Sequence, residues 1–408
     1  MTPLQEGDIA AEAPAEERVL AGGARLDLAR IRDDVEALAA MGRGSAAEDQ
    51  PQVAWLERRL RDAGAHDIRT EIFRFQRRWI WRHAAHTGKV IAAAAIGGPV
   101  GAGIAAATLA SYELELSGKS HWTARFLPAG EGTNLVARIP AAGPAERTIV
   151  FAAHHDAARG GWLWRSPLMR AATSGAHERG GPRPLGLGAQ HLMALVALGC
   201  LIGSRILRAV AALGLAALTM VGVDVARSVV VPGANDNASG VAALLAIVAA
   251  FARDPLERTD IVALFTDCEE VGMGGMEAWT RAHRGELDTA ATLVVSLDTL
   301  GAGEPAVVTR ESALLATYDR ATLEWADRGA LRAAVAPPAR TTLVATTDAI
   351  VAQHAGLRAL SLVSIAPDGT LGAHYHQQTD TSENVDWESV EHCTKLAAGI
   401  ARVWDAAG

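Results

Sequence analysis

From residue 260 to the C-terminus, short apolar runs alternate with segments of helical periodicity, and that rhythm restricts the chain to few folds. Asp260–Thr266 (DIVALFT), Ala291–Leu297 (ATLVVSL) and Ala359–Ile365 (ALSLVSI) read as strands. Gly275–Arg284, Ser312–Asp327 and Trp387–Trp404 read as the helices between and after them. Strands this apolar need both faces covered, so the alternation predicts an α/β fold with a mixed, mostly parallel sheet sandwiched by helices. Upstream, Asp67–Gln76, Thr133–Ile139 and Thr148–Ala153 add strands, and Glu17–Met41 and Gln52–Ala63 add helices. Residues 1–16 are rich in Ala, Glu and Pro and read as a loose terminus, with one domain over 17–408.

Two insertions interrupt the sheet, at about 79–120 and 159–231. Val90–Ala110 carries no charge over 21 residues, and Leu192–Ser204 and Ala209–Val223 are apolar runs split by Arg205-Ile206-Leu207-Arg208. A bilayer crossing needs about 20 apolar residues. Each insertion leaves and rejoins one sheet, so each must return to the side it left. Gly97-Gly98-Pro99 breaks the first into a hairpin of two helices. Membrane docking and packing as a cap over the active site are both open readings. Trp79 and Trp81 among Arg77, Arg78 and Arg82 suit an interface.

The net charge is −8 with no long basic tract, which argues against nucleic acid as a partner. Three cysteines provide no disulfide framework. Residues 1–20 are acidic and lack the apolar core of a secretory signal, so the expected location is cytoplasmic or on the cytoplasmic face of a membrane.

Five segments carry candidate chemistry, four of them at or near strand ends. His154-His155-Asp156 follows the TIVFAA strand; His154 and Asp156, two apart, share a face while His155 points away. Pro232–Gly240 (PGANDNASG) makes a turn into an apolar helix over Val241–Phe251. Glu269-Glu270 follows DIVALFT between apolar flanks, and burying two adjacent carboxylates is costly unless a cation offsets them. Asp298 ends ATLVVSL, and His374-Tyr375-His376 lies in the loop after ALSLVSI. Singly, these segments also read as a strand-end turn, an N-cap or a solvated acidic loop. Together they place His, Asp and Glu where an open parallel sheet binds ligands, and such N/O donor sets suit zinc.

This order of motifs resembles the co-catalytic di-zinc aminopeptidases of the bacterial leucyl aminopeptidase type, whose relatives include glutamate carboxypeptidase-like peptidases and glutaminyl cyclases. The resemblance covers roughly residues 50–76, 130–158 and 232–405. It implies two zinc ions, with His154 and Asp298 on one, Glu270 and His376 on the other, and Asp236 bridging. It further implies Glu269 as the general base, Asp156 as support for His154, and Tyr375 as a partner of the scissile carbonyl or oxyanion. His374 stands as the alternative ligand. Asp348 lies in a family-like segment that lacks the expected His, and takes no catalytic role. The implied activity is removal of N-terminal residues from peptides. Alternatives are carboxypeptidase action, glutaminyl cyclisation, or a catalytically silent membrane receptor. The departure from the family is the 82-position separation of His154 and Asp236, which the second insertion fills.

Overall fold

The computed structural model describes residues 18–19, 25–167, 188–312 and 315–407. The expected loose segment 1–16 lies outside them, as does part of the second insertion. Strands β1 (Arg18–Val19) and β2 (Arg25–Leu26) form a small antiparallel ladder. The other strands build one eight-stranded sheet, in the order β3-β4-β6-β5-β7-β10-β8-β9. These are β3 (Asp67–Gln76), β4 (Ala129–Ile139), β5 (Arg147–His154), β6 (Thr259–Thr266), β7 (Thr292–Leu297), β8 (Glu304–Arg310), β9 (Ala339–Thr342) and β10 (Arg358–Ile365). The central four, β6-β5-β7-β10, are parallel, while β4 and β8 join them antiparallel.

β5, β7 and β10 are buried almost end to end, as strands covered on both faces must be. Helices α1 (Leu28–Ala39) and α2 (Pro51–Asp62) precede the sheet. Asp27 caps α1, accepting from Arg30 N at 3.0 Å, so the helix begins later than the periodicity from Glu17 suggested. The α8 helix (Gly240–Arg253) is the best-buried helix of the core, packed among Val241, Leu244, Val248 and Phe251. Helices α9 (Gly274–Ala282), α10 (Arg320–Ala333), α11 (Asp348–His354) and α12 (Trp387–Ala406) complete the layers. One expectation is corrected: the helix read over Ser312–Asp327 begins only at Arg320, where Asp319 caps it, and it runs on to Ala333 between β8 and β9.

The two insertions find each other. The first is α3 (Trp79–Ile96) and α4 (Gly98–Leu116), turned at Gly97 as the Gly-Gly-Pro break implied. The second holds the short α5 (Trp162–Arg165), then α6 (Ala189–Leu201) and α7 (Arg205–Arg227). The long helices of both share an apolar core separate from that of the sheet, including Val90, Ala105, Met193, Val196 and Leu215. Close approaches fix their directions: Gly97 abuts Arg208, whereas Gly222 abuts Ile80. The turns at Gly97 and Gly203 therefore lie at one distal end. Polar contacts gather toward the other end, where His83 meets the Tyr112 hydroxyl at 3.1 Å and His86 meets Ser111 at 3.0 Å.

Candidate metal centre

Parallel pairing places the ends of β5, β6 and β7 side by side, with His154 opposite Thr266. His154 ends β5, Glu269-Glu270 follow β6, and Asp298 follows β7, its N–H donating to Leu362 O of β10 at 3.1 Å. Asp236 arrives from the turn before α8 and His376 from the loop after β10. The five expected ligand residues therefore converge. His154, Asp236, Asp298 and His376 are buried, and Glu270 borders the cavity.

Asp236 divides the donors into two sets. Its Oδ1 lies 3.3 Å from His154 Nε2, which is 3.7 Å from Asp298 Oδ1. Its Oδ2 lies 2.9 Å from His376 Nε2, which is 3.3 Å from Glu270 Oε2. Ligands about 2.1 Å from a tetrahedral zinc ion stand about 3.4 Å from one another, and the four spacings, 2.9–3.7 Å, bracket that value. His154, Asp236 and Glu270 each offer a donor atom within 4.8 Å of the others. Glu270 Oε1 and His376 Nδ1 are buried without a protein hydrogen-bond partner, which a purely structural network would not leave. The donor set thus fits a divalent metal of the zinc type.

Burial pushes Glu269 and Glu270 well above the usual carboxylate range, and neighbouring carboxylates add to the push. Burial would lower His154, but hydrogen bonds to Asp156, Asp236 and Asp298 outweigh it and hold the imidazole well above its ordinary value. Burial likewise opposes ionisation of Asp236, yet His154 and His376 keep it below the normal range. A bound cation would relieve the repulsion among these acids.

Asp156 does more than its position in the sequence suggested. His154 Nδ1 lies 3.2 Å from its carbonyl oxygen and 3.5 Å from its Oδ1. Its carboxylate also accepts from Ser45 Oγ at 2.6 Å and from the N–H groups of Glu269 and Glu270 at 3.2 and 3.3 Å. It therefore anchors the turn that carries both glutamates. His155 points away, to Thr133 O at 2.8 Å. His374 bonds Thr379 Oγ1 at 2.8 Å and stands outside the donor sets. Asp348 accepts from Thr266 Oγ1 at 2.5 Å, behind the site.

Three anchors were missed in the sequence. Asp380 accepts from the N–H groups of Asn235 and Asp236 at 2.8 and 3.1 Å. Arg43, fully buried, donates to His155 O, Pro232 O and Gly233 O at 3.2, 2.8 and 2.6 Å. Gly233 has φ +64°, and a Cβ there would stand 2.7 Å from Arg43 Nη2, so only glycine fits this turn. Trp164 of α5 packs edge-on against His376, ring centroids 4.3 Å apart, while Tyr375 stacks on His376 at 3.8 Å. No periodicity in the sequence marks such residues.

A cavity of about 320 Å³ opens from Glu269, Glu270, Tyr375 and His376. Its far walls come from the insertions: Trp79 and Arg82 of α3, Tyr112 of α4, Trp164 of α5, and Val225 and Ala226 of α7. The base of the four-helix bundle therefore roofs the site.

Comparison with curated protein sequences gives no match. The fold is similar to that of a glutaminyl cyclase from Bacteroides thetaiotaomicron (TM-score 0.55, 13% identity, covering 92% of this chain and 98% of that one). It is also similar to a Zn-dependent exopeptidase from Parabacteroides distasonis (0.53, 13%, 91% and 97%). An aminopeptidase from an Aneurinibacillus species compares similarly (0.52, 12%, 92% and 93%). At these identities the likeness is one of fold. The sequence itself matches a family model over residues 220–401, and the family resemblance drawn from the motifs therefore holds: this segment carries the signature of peptidase family M28.

Proposed function

We propose that the protein is a di-zinc exopeptidase that releases N-terminal residues from peptides. The observation that carries this reading is the split of Asp236, one carboxylate oxygen toward His154 and the other toward His376. His154 and Asp298 would hold one ion, Glu270 and His376 the other, and Asp236 both. When bound, zinc supplies Lewis-acid polarisation of a carbonyl and acidification of water. Glu269, held beside this donor set by Asp156 through its N–H, takes the proton of the attacking water and returns it to the leaving amine. Tyr375 lines the same cavity and donates its hydroxyl hydrogen bond to the developing oxyanion. Two complete donor sets favour peptide hydrolysis over a single-zinc cyclase, and an intact base favours an enzyme over a silent receptor. The test is a peptide panel on zinc-loaded protein, with Glu269→Gln and chelation as controls. Ammonia release from N-terminal glutamine without peptide cleavage would assign cyclisation instead.

We further propose that the distal end of the bundle contacts a lipid bilayer. Ile96, Val100, Leu201, Ile202, Ile206 and Leu213 are 58–79% exposed there. Over 90–112 and 192–223, Arg205 and Arg208 are the charged residues, so no acid opposes an anionic leaflet. The α7 helix is long and apolar enough to cross a membrane, and only 17% of its apolar window is buried. Its uncharged stretch Ala209–Val223 extends about 22 Å, short of the hydrocarbon thickness, which favours seating in the bilayer over full crossing. Trp81 and Trp122, toward the base, suit the headgroup level. Flotation with anionic phosphatidylglycerol vesicles tests this. Ile206→Glu with Leu213→Glu should abolish flotation and leave peptide cleavage intact; flotation equal to the parent's would refute it.

A further inference from the structure

The cavity has a wall that the proposed chemistry does not use, formed by Arg78, Arg82 and Arg159. Arg82 lies in the first turn of α3, and its guanidinium rests over Gly272, two residues beyond Glu270. A Cβ at Gly272 would stand 2.8 Å from both Nη atoms, so glycine is what lets the guanidinium come this close. The Arg82 side chain is 10% exposed, and its Nη1 is buried without a protein partner. The nearest carboxylate, Glu115, is 3.9 Å from Nε and already accepts from the Thr123 N–H at 2.9 Å and from the Thr123 hydroxyl.

The other two guanidiniums are held by uncharged groups. Arg159 Nη1 donates to Ser228 O at 2.7 Å, and Arg78 Nη1 donates to Ala226 O. Backbone carbonyls fix these side chains without neutralising them. Burial, and then the charge of Arg78, pull Arg159 below the usual guanidinium value. The neighbouring Arg77, by contrast, is paired with Glu48 at 3.1 Å on the surface. Like charges gathered on a partly desolvated wall repel unless an anion joins them, and arginine forks match carboxylates in a bidentate way.

We propose that this wall is an anion subsite that binds a carboxylate of the substrate, beside the hydrolytic centre. The carboxylate belongs to an acidic side chain or to the free C-terminus of a short peptide. Only the nature of the carrier molecule rests on the peptidase reading. The wall comes from the first insertion and from the loop after β5, so substrate choice would be set by the segments that interrupt the sheet.

The test is calorimetric binding to the zinc-loaded Glu269→Gln variant, using three dipeptides. Ala-Glu-amide carries a side-chain carboxylate, Ala-Gln a C-terminal one, and Ala-Gln-amide neither. At least one acidic peptide should bind about tenfold or more tightly than Ala-Gln-amide, and which one does so identifies the source. Adding Arg82→Gln or Arg159→Gln should remove that advantage and leave the neutral peptide's affinity unchanged. Equal affinities for all three peptides, or a preference that survives both substitutions, would overturn the subsite. Thermal melting checks each variant; if Arg82→Gln does not fold, Arg159→Gln decides alone. Parent enzyme that cleaves no peptide counts against the hydrolytic reading, whereas equal binding of the three peptides with all the arginines in place counts against the subsite.

Discussion

Replacing Arg43 with methionine should destabilise the metal-free protein and loosen its hold on zinc. The side chain is fully buried beneath the site, and its three hydrogen bonds run to the carbonyls of His155, Pro232 and Gly233. A hydrogen bond to a charged group contributes about 1.5–3 kcal/mol net, while the buried guanidinium costs several kcal/mol of lost hydration. Burial pulls Arg43 down to about 10 despite Asp380, Asp156 and Asp236, so it stays charged at neutral pH. Methionine recovers the hydration cost but leaves three carbonyls and nearby acids without their cation. The expected net loss is about 3–5 kcal/mol, the range for removing one partner of a buried ionic group. For 408 residues unfolding together, the unfolding entropy is about 0.9 kcal/mol per degree, so the melting temperature should fall by about 3–6 °C. Pro232 and Gly233 begin the turn that presents Asp236, so zinc affinity should fall as well. Scanning calorimetry with chelator and a competitive zinc titration read the two effects. A variant that melts with the parent and binds zinc equally would refute the view that Arg43 supports the site.

Two further outcomes are expected. Tyr375→Phe should lower kcat by about 10²–10³, with little change in KM or melting temperature, because one oxyanion donor is lost. Unchanged kcat in steady-state assays would remove Tyr375 from that role. Glu311 is fully buried, and burial pushes its carboxyl from 4.5 to about 8, although Tyr318 and Thr347 donate hydrogen bonds to it. The folded state therefore holds this proton more tightly than the unfolded state. Its contribution is fully present below pH 4.5 and is lost as pH rises to about 8. Glu311→Gln should flatten that part of the stability profile in melts from pH 5 to 9, and parallel profiles would refute the assignment.

The central strands were legible because they are buried on both faces, and β10 falls within one residue of the apolar run that announced it; the edge strand β3 was legible from its polar–apolar alternation. The convergence of His154, Asp236, Glu270, Asp298 and His376 was legible for a related reason. Parallel strands deliver their C-terminal ends to one edge, so a donor at the end of each must meet the others. β8 and β9 were not legible, since β9 has only four residues and β8 carries Pro305 on a weakly patterned run. Arg43, Ser45 and Trp164 escaped for another reason. Each reaches the site across more than 100 residues of chain, and such contacts leave no local trace. The pairing of the two insertions was invisible too, because apolar helices look alike whether they meet lipid, the sheet or each other.

That pairing sets an order of events during synthesis. The first hairpin leaves the sheet after β3, but its partner is complete only at Arg227, more than 100 residues later. Until then Val90, Ala93 and Ala105 have no core to join. The emerging polypeptide must hold an unmatched greasy hairpin while β4 and β5 are made, and α8 to α12 are still to come. The substrate chamber can acquire its ceiling only late in translation, and a ribosome-bound fragment ending before Arg205 should expose the hairpin to chaperones or to lipid.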